Sequence, residues 1–162
     1  QGFQPVSSFN YGAKRFDRVR LATKYTAFVG TILMLCVSAL CIILAPAIMK
    51  AFRKDDLEVI AIGVYALRAQ ALLLPLTGIV TATNMGLQST GNAVPATVLA
   101  MARQGIFFIP LILILPGFAG LKGVALSQPI SDGLTFIIAL FFFASFLRML
   151  KKKENTEEAV LP

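Results

Sequence analysis

Charge along this chain comes in blocks separated by long apolar runs. After a polar opening that holds Lys14, Arg15, Arg18, Arg20 and Lys24, residues 25–49 run for 25 positions without a charged side chain. Three further apolar stretches follow at about 59–88, 93–115 and 124–147. Each is near or above the ~20 residues that a helix needs to cross a ~30 Å hydrocarbon layer at ~1.5 Å per residue. The pattern predicts four transmembrane helices. Strands are not expected, because lipid-facing strands need short alternating segments that close into a barrel. Asp55 and Glu58 have capping-box spacing before the second helix, Asn92 can cap the third, and Pro95 fits its first turn. Pro75 predicts a kink in the second helix, and with Gly78 it is the candidate hinge. Pro46, Pro110 and Pro129 are further candidates for bends.

Composition agrees with the pattern. Hydrophobic residues make up 57% and charged residues 14%, against about 25% charged in a soluble domain. Too few charges remain to cover a water-facing surface, and the class expected is an all-α integral membrane protein. The net charge of +7 does not indicate a nucleic-acid partner, since the basic residues sit beside apolar runs and no DNA- or RNA-binding motif accompanies them. The bilayer is the partner expected instead.

Lys and Arg accumulate on cytoplasmic loops. With the basic opening inside, the Gly91-Asn92 turn is inside, the PGFAGLKG loop outside, and the C-terminus cytoplasmic. The inner flanks then hold nine basic residues: the first five, Arg148, and the three lysines 151–153. The outer loops hold four: Lys50, Arg53, Lys54 and Lys122. Residues 1–24 are expected as the end of a preceding helix and a basic cytoplasmic loop, residues 25–147 as the membrane region. Residues 148–162 are expected as a solvated, disordered tail or a simple stop-transfer anchor. The chain opens mid-pattern at Gln1, with neither an initiator Met nor a signal peptide. It is expected to be the C-terminal part of something longer.

Ionisable groups inside spans cost roughly 2.5–3.5 kcal/mol each at a helix centre and are therefore candidates for function. Arg68 lies about 14 Å deep in the second span, Asp132 about 12 Å deep in the fourth, and Arg103 about 15 Å deep in the third from the other face. These depths permit an Asp132–Arg68 or an Asp132–Arg103 pair. Asp132 is either a protonatable, cation-responsive switch, a structural partner, or an N-cap with Ser131 for a helix restarting after Pro129. Gln70, Thr77, Thr81, Asn84 and Gln88 recur at offsets of 7, 4, 3 and 4, one face of a helix. Such a stripe faces other helices or water, not lipid; a cavity wall and simple helix–helix adhesion both satisfy it. Arg68 falls roughly opposite. A shorter stripe of Gln128, Asp132 and Thr135 marks the outer half of the fourth span. Phe136, Phe141, Phe142, Phe143 and Phe146 follow, expected as lipid-facing bulk, with aromatic drug contacts as the sharper alternative.

Several segments in order resemble one family. Gln4-Pro5, Phe9-Asn10-Tyr11-Gly12-Ala13-Lys14-Arg15 and Arg18-Val19-Arg20 look like the segment before the ninth helix of the multidrug and toxic compound extrusion (MATE) transporters. Leu87-Gln88-Ser89-Thr90-Gly91-Asn92 resembles that family's turn between helices ten and eleven. Arg103-Gln104-Gly105, Ile109-Pro110-Leu111, Gly120-Leu121-Lys122-Gly123-Val124 and Gln128-Pro129-Ile130-Ser131-Asp132 resemble its last two helices. The resemblance implies helices nine to twelve, in the C-terminal lobe of a twelve-helix transporter in a bacterial cytoplasmic membrane. It also implies export of cationic or amphipathic drugs in exchange for Na+ or H+, with a site near the midplane between rocking repeats. The N-terminal lobe would be the partner still required, and transport by these residues alone is not expected.

Other chemistry finds no support. There is no His, and Cys36 and Cys41 share one apolar helix at a spacing that suits neither a metal nor a disulfide, so they are expected as packing residues. No phosphate loop, nucleophile elbow or catalytic carboxylate pair is present, so neither an enzyme nor a resident cofactor is expected. Two alternatives to drug export stand: a polysaccharide or lipid-precursor flippase of the same superfamily, which should line its cavity with several basic residues, and a non-transporting membrane module, which should bury its polar stripes completely.

Overall fold

Helices account for nearly all of what the computed structural model describes, residues 2–52 and 57–159. In chain order they are α1 (Phe3–Gly12), α2 (Phe16–Phe52), α3 (Leu57–Leu73), α4 (Leu76–Ser89) and α5 (Ala93–Met101). A π-helical segment (Ala102–Ile106) then leads into α6 (Phe108–Glu158). No strand occurs among the described residues.

The apolar faces point outward. Leu33, Leu40 and Ile43 of α2, Leu113 before the Gly120 break, and Ile137 and Phe141 near the chain's end are exposed, whereas Thr23, Ser38, Thr83, Ser127 and Thr135 are buried. This inverts the arrangement of a water-soluble protein and matches a bundle whose solvent is hydrocarbon, where polar side chains turn toward neighbouring helices. Two of the buried hydroxyls bond their own backbone: Thr23 Oγ1 donates to Val19 O and Thr83 Oγ1 to Ile79 O.

Two connections end in the same device. In each, a residue with positive φ closes a pair of bonds back onto the last turn, the Schellman arrangement. After α4, Gly91 (φ 77°) allows Gly91 N to bond Gln88 O and Asn92 N to bond Leu87 O. After α1, Lys14 (φ 60°) does the same through Tyr11 O and Asn10 O. Asn92 does stand at the N-cap of α5, but its side chain makes no cap bond there and donates to Thr90 Oγ1 instead. Asp55, the other expected cap, lies outside the described residues.

Helix α6 cannot be one span: its 51 residues would reach roughly 77 Å at ~1.5 Å each. Gly120, at φ 53° and ψ −134°, breaks it. A Cβ added to Gly123 would overlap the carbonyl oxygen of Leu115, whereas in an unbroken helix residues eight apart are separated by about 12 Å. The chain therefore doubles back here, and the arm 121–158 returns along α5: Ser131 Oγ reaches Arg103 O at 2.6 Å, and Asn92 Nδ2 reaches Met149 Sδ at 4.0 Å. Helices α3 and α4 are bent by 53° at the Leu74-Pro75 break. Pro75 has no N–H to offer Ala71 O, and that carbonyl accepts from Leu74 N and from Ser38 Oγ of α2.

Four expectations need correction. Residues 16–24 are not a loop. They form the first turns of α2, because Phe16 and Val19 bury against Phe146 and Leu150. The tail is not disordered as far as Glu158: Lys14 pairs with Glu157 at 3.0 Å, Arg20 with Glu154 at 3.1 Å, and Lys153 Nζ donates to the Tyr11 hydroxyl. These contacts gather the basic opening and the basic C-terminal segment at one end of the bundle. Phe146 is buried core, not lipid-facing bulk, and Gly86 makes room for its ring; Phe142 packs against the same core while Phe141 is exposed. Cys36, expected to pack, is exposed.

Candidate functional site

Asp132 is the best-held polar group in the bundle. Its side chain is 1% exposed, and three N–H donors from three segments converge on it. Arg103 Nε lies 2.8 Å from Oδ1, Gln128 Nε2 3.1 Å from the same oxygen, and Gln70 Nε2 2.7 Å from Oδ2. Without a countercharge, a carboxylate at this burial would cost several kcal/mol. The Asp132–Arg103 pairing that depth permitted is the one formed. The N-cap reading of Asp132 and Ser131 fails, since the helix runs through Pro129 without restarting and Ser131 Oγ donates to Arg103 O instead.

Arg103 reaches this position from an irregular helix. Phe107 N bonds Ala102 O, five residues back, and such π-helical turns recur where a side chain must be re-aimed. Gln70 comes from the last turn of α3 before the Pro75 break. Gln70 Oε1 and Thr135 Oγ1 are buried without a hydrogen-bond partner among the described residues.

Arg68 does not join the cluster. It is on another face, where Nε approaches Ile42 O at 3.3 Å and the side chain borders an apolar groove with Val64, Tyr65 and Leu126. The stripe on the second span divides at the break. Gln70 serves Asp132; Thr77 is buried with its hydroxyl returned to Leu74 O; Thr81, Asn84 and Gln88 line an open cleft of about 310 Å³ between α4 and α5. Arg103 and Gln104 form its other polar edge. Asn84 Nδ2 donates to Ala96 O across the helix pair, and Asn84 Oδ1 accepts from Gln88 Nε2. Gly78 packs where α4 crosses α2: a Cβ there would stand 2.6 Å from Thr31 N and 2.9 Å from Gly30 C.

Three contributors were absent from the sequence-derived set. Gln104 and Gln4 border the cleft, and Ser38 braces the break through Ala71 O. Gln104 carried a signal, as the polar neighbour of an intramembrane Arg. Gln4 and Ser38 carried none, because their partners lie 84 and 33 residues away.

A family model described as MatE matches residues 1–114. The chain belongs to the MatE family. Among curated relatives, the Multidrug export protein MepA of Staphylococcus haemolyticus (strain JCSC1435) is 24% identical over 150 residues, covering 93% of this chain and 32% of that protein. Among solved structures, an inward-facing MATE family transporter of the MOP superfamily superposes with a TM-score of 0.82 at 20% identity, over 93% of this chain and 35% of that one. An outward-facing conformation also superposes with 0.82, at 21% identity, over 93% and 34%. The chain thus spans about a third of the length of these relatives, and shares their fold over nearly all of its own.

Proposed function

We propose that this chain contributes helices nine to twelve to the C-terminal lobe of a MATE antiporter, which exports cationic or amphipathic compounds in exchange for Na+ or H+. One observation carries the reading. A carboxylate held by three donors from three helical segments lies inside a membrane bundle, and the guanidinium that neutralises it borders an open polar cleft. Packing alone would favour burying such groups completely or replacing them with apolar ones. An open wall at this depth suits a cavity completed by a second lobe, near the midplane, where secondary transporters bind their cargo.

Two further facts support it. The curated relative named above is a multidrug export protein. Equal likeness to inward- and outward-facing transporters suits a unit that rocks as a body between the two states. The basic end formed by α1, the start of α2 and the end of α6 would face the cytoplasm, with the C-terminus inside. Ethidium efflux from cells tests the proposal. Cells expressing these residues together with the rest of the transporter should export the dye, and D132N should slow export severalfold. Efflux by the 162 residues alone, or unchanged efflux in D132N, would overturn it.

A further inference from the structure

We propose that Arg68 is a positioning residue: it supplies the hydrogen bond that Pro46 denies to Ile42 O, and so ties α3 to α2 and holds Gln70 on Asp132.

An arginine inside a span usually marks an ion or substrate path, but Arg68 is engaged with backbone. Its Nε donates to Ile42 O of α2 at 3.3 Å. Ile42 stands four residues before Pro46, which lies inside α2 and has no N–H to return to that carbonyl. In hydrocarbon such an oxygen needs a donor from a neighbouring helix.

The same two helices solve the same problem in the opposite direction. Pro75 frees Ala71 O of α3, and Ser38 Oγ of α2 donates to it at 2.6 Å. Ser38 and Ile42 are four apart on α2, Arg68 and Ala71 three apart on α3, so each pair shares one helical face. Each helix thus lends a side chain to the carbonyl that a proline has freed in the other. Both bonds join residues of this chain, so neither depends on what the rest of the transporter adds. The donors also fit the gaps they cross. A hydroxyl suffices at Ala71 O, whereas Ile42 and Arg68 border a groove of about 630 Å³, which takes a longer side chain to span.

Gln70 follows two residues after Arg68, on nearly the opposite side of α3, and its amide meets Asp132 Oδ2 at 2.7 Å. The last turns of α3 are therefore gripped by α2 on one side and by α6 on the other. Loss of the bond to Ile42 O would let α3 shift and loosen Gln70 from the carboxylate.

The test separates the donor from the charge, in the complete transporter. Gln carries Nε2 as many bonds from Cα as Arg carries Nε, and Met places a methyl there. R68Q thus keeps the donor without the charge, and R68M removes both. In SDS titration from mixed micelles, R68M should unfold about fivefold more readily than R68Q, the effect of one hydrogen bond. With P46A added to both, an Ala N–H meets Ile42 O, and the two should agree within about twofold. Equal stability of R68Q and R68M beside Pro46 overturns the inference, as does a difference that P46A leaves intact. Neither measurement needs transport. Ethidium efflux, which rests on the export reading, should follow the donor too: near wild type in R68Q, slowed severalfold in R68M and restored in P46A/R68M. Efflux that falls equally in R68Q and R68M would overturn the positioning role in favour of the charge. No efflux by any of these proteins, wild type included, would remove only the export reading.

Discussion

Replacing Arg103 by Gln and Asp132 by Asn, one at a time, perturbs the same 2.8 Å ion pair from its two ends, and the two ends differ. R103Q leaves a carboxylate that is 1% exposed with two amide donors and no countercharge, the situation that costs about 3–5 kcal/mol. D132N leaves a guanidinium that is 36% exposed on the cleft side and keeps its water. The new Asn Oδ1 still accepts from Arg103 Nε and Gln128, while its NH2 meets the Gln70 amide. Gln70 Oε1 has no partner among the described residues, so turning that amide over converts two opposed donors into a donor–acceptor pair. D132N should therefore cost only about 1–2 kcal/mol, the contribution of one charged hydrogen bond. The double variant should be more stable than R103Q alone, because no buried charge remains. SDS titration of the purified protein in mixed micelles, followed by circular dichroism, measures all three. The reasoning fails if D132N is as damaging as R103Q, or if the double variant equals the sum of the singles.

Gly78→Ala should destabilise the protein by about 1–3 kcal/mol, because the methyl group meets the backbone of Thr31 rather than a flexible side chain. Gly105→Ala, where nothing lies within 4 Å, should be neutral or mildly stabilising in the same titration. The lysines 151–153 should resist trypsin longer than an unstructured segment would. E154Q should hasten cleavage while costing less than about 1 kcal/mol, since its ion pair with Arg20 is partly exposed; immediate cleavage of the unmodified protein would refute the helical tail. With Cys36 and Cys41 replaced by Ser, spin labels at Tyr65 and Thr81, on either side of the Pro75 bend, should report one distance with and without ethidium. Two distances would show that the bend flexes.

The helices were legible because hydrocarbon leaves little choice: a backbone in lipid must satisfy its own N–H and C=O groups. Uncharged runs of about 20 residues therefore become helices whatever their packing. Pro75 was legible as a bend for a similarly local reason, its missing donor. The failures were non-local. Phe16 and Val19 belong to a helix because Phe146 and Leu150, some 130 residues later, cover them. The tail is ordered by Lys14, Arg20 and Tyr11 at the opposite end of the chain. At the site, depth along each span left Asp132 with two possible arginines. Rotation about each helix axis chose between them, and the π-helical turn that aims Arg103 has no fixed sequence pattern. Phase also failed along the stripe from Gln70 to Gln88, since a 53° bend sends its two ends to different neighbours.

The break at Pro75 and the cluster at Asp132 are parts of one arrangement. Pro75 cannot bond Ala71 O, and in lipid that acceptor requires another donor; Ser38 supplies one and ties the end of α3 to α2. Gly78 then lets α4 lie directly on Gly30 and Thr31 of the same helix. The bend is thus braced on both sides by α2. Gln70, one turn before the break, is held at the depth where Asp132 returns on α6. A straight second span would carry Gln70 and Asn84 on one continuous face. The bent one splits them, giving Gln70 to the buried carboxylate and Asn84 to the open cleft. Arg103 is the residue that touches both, and through it a change at the cleft can reach Asp132.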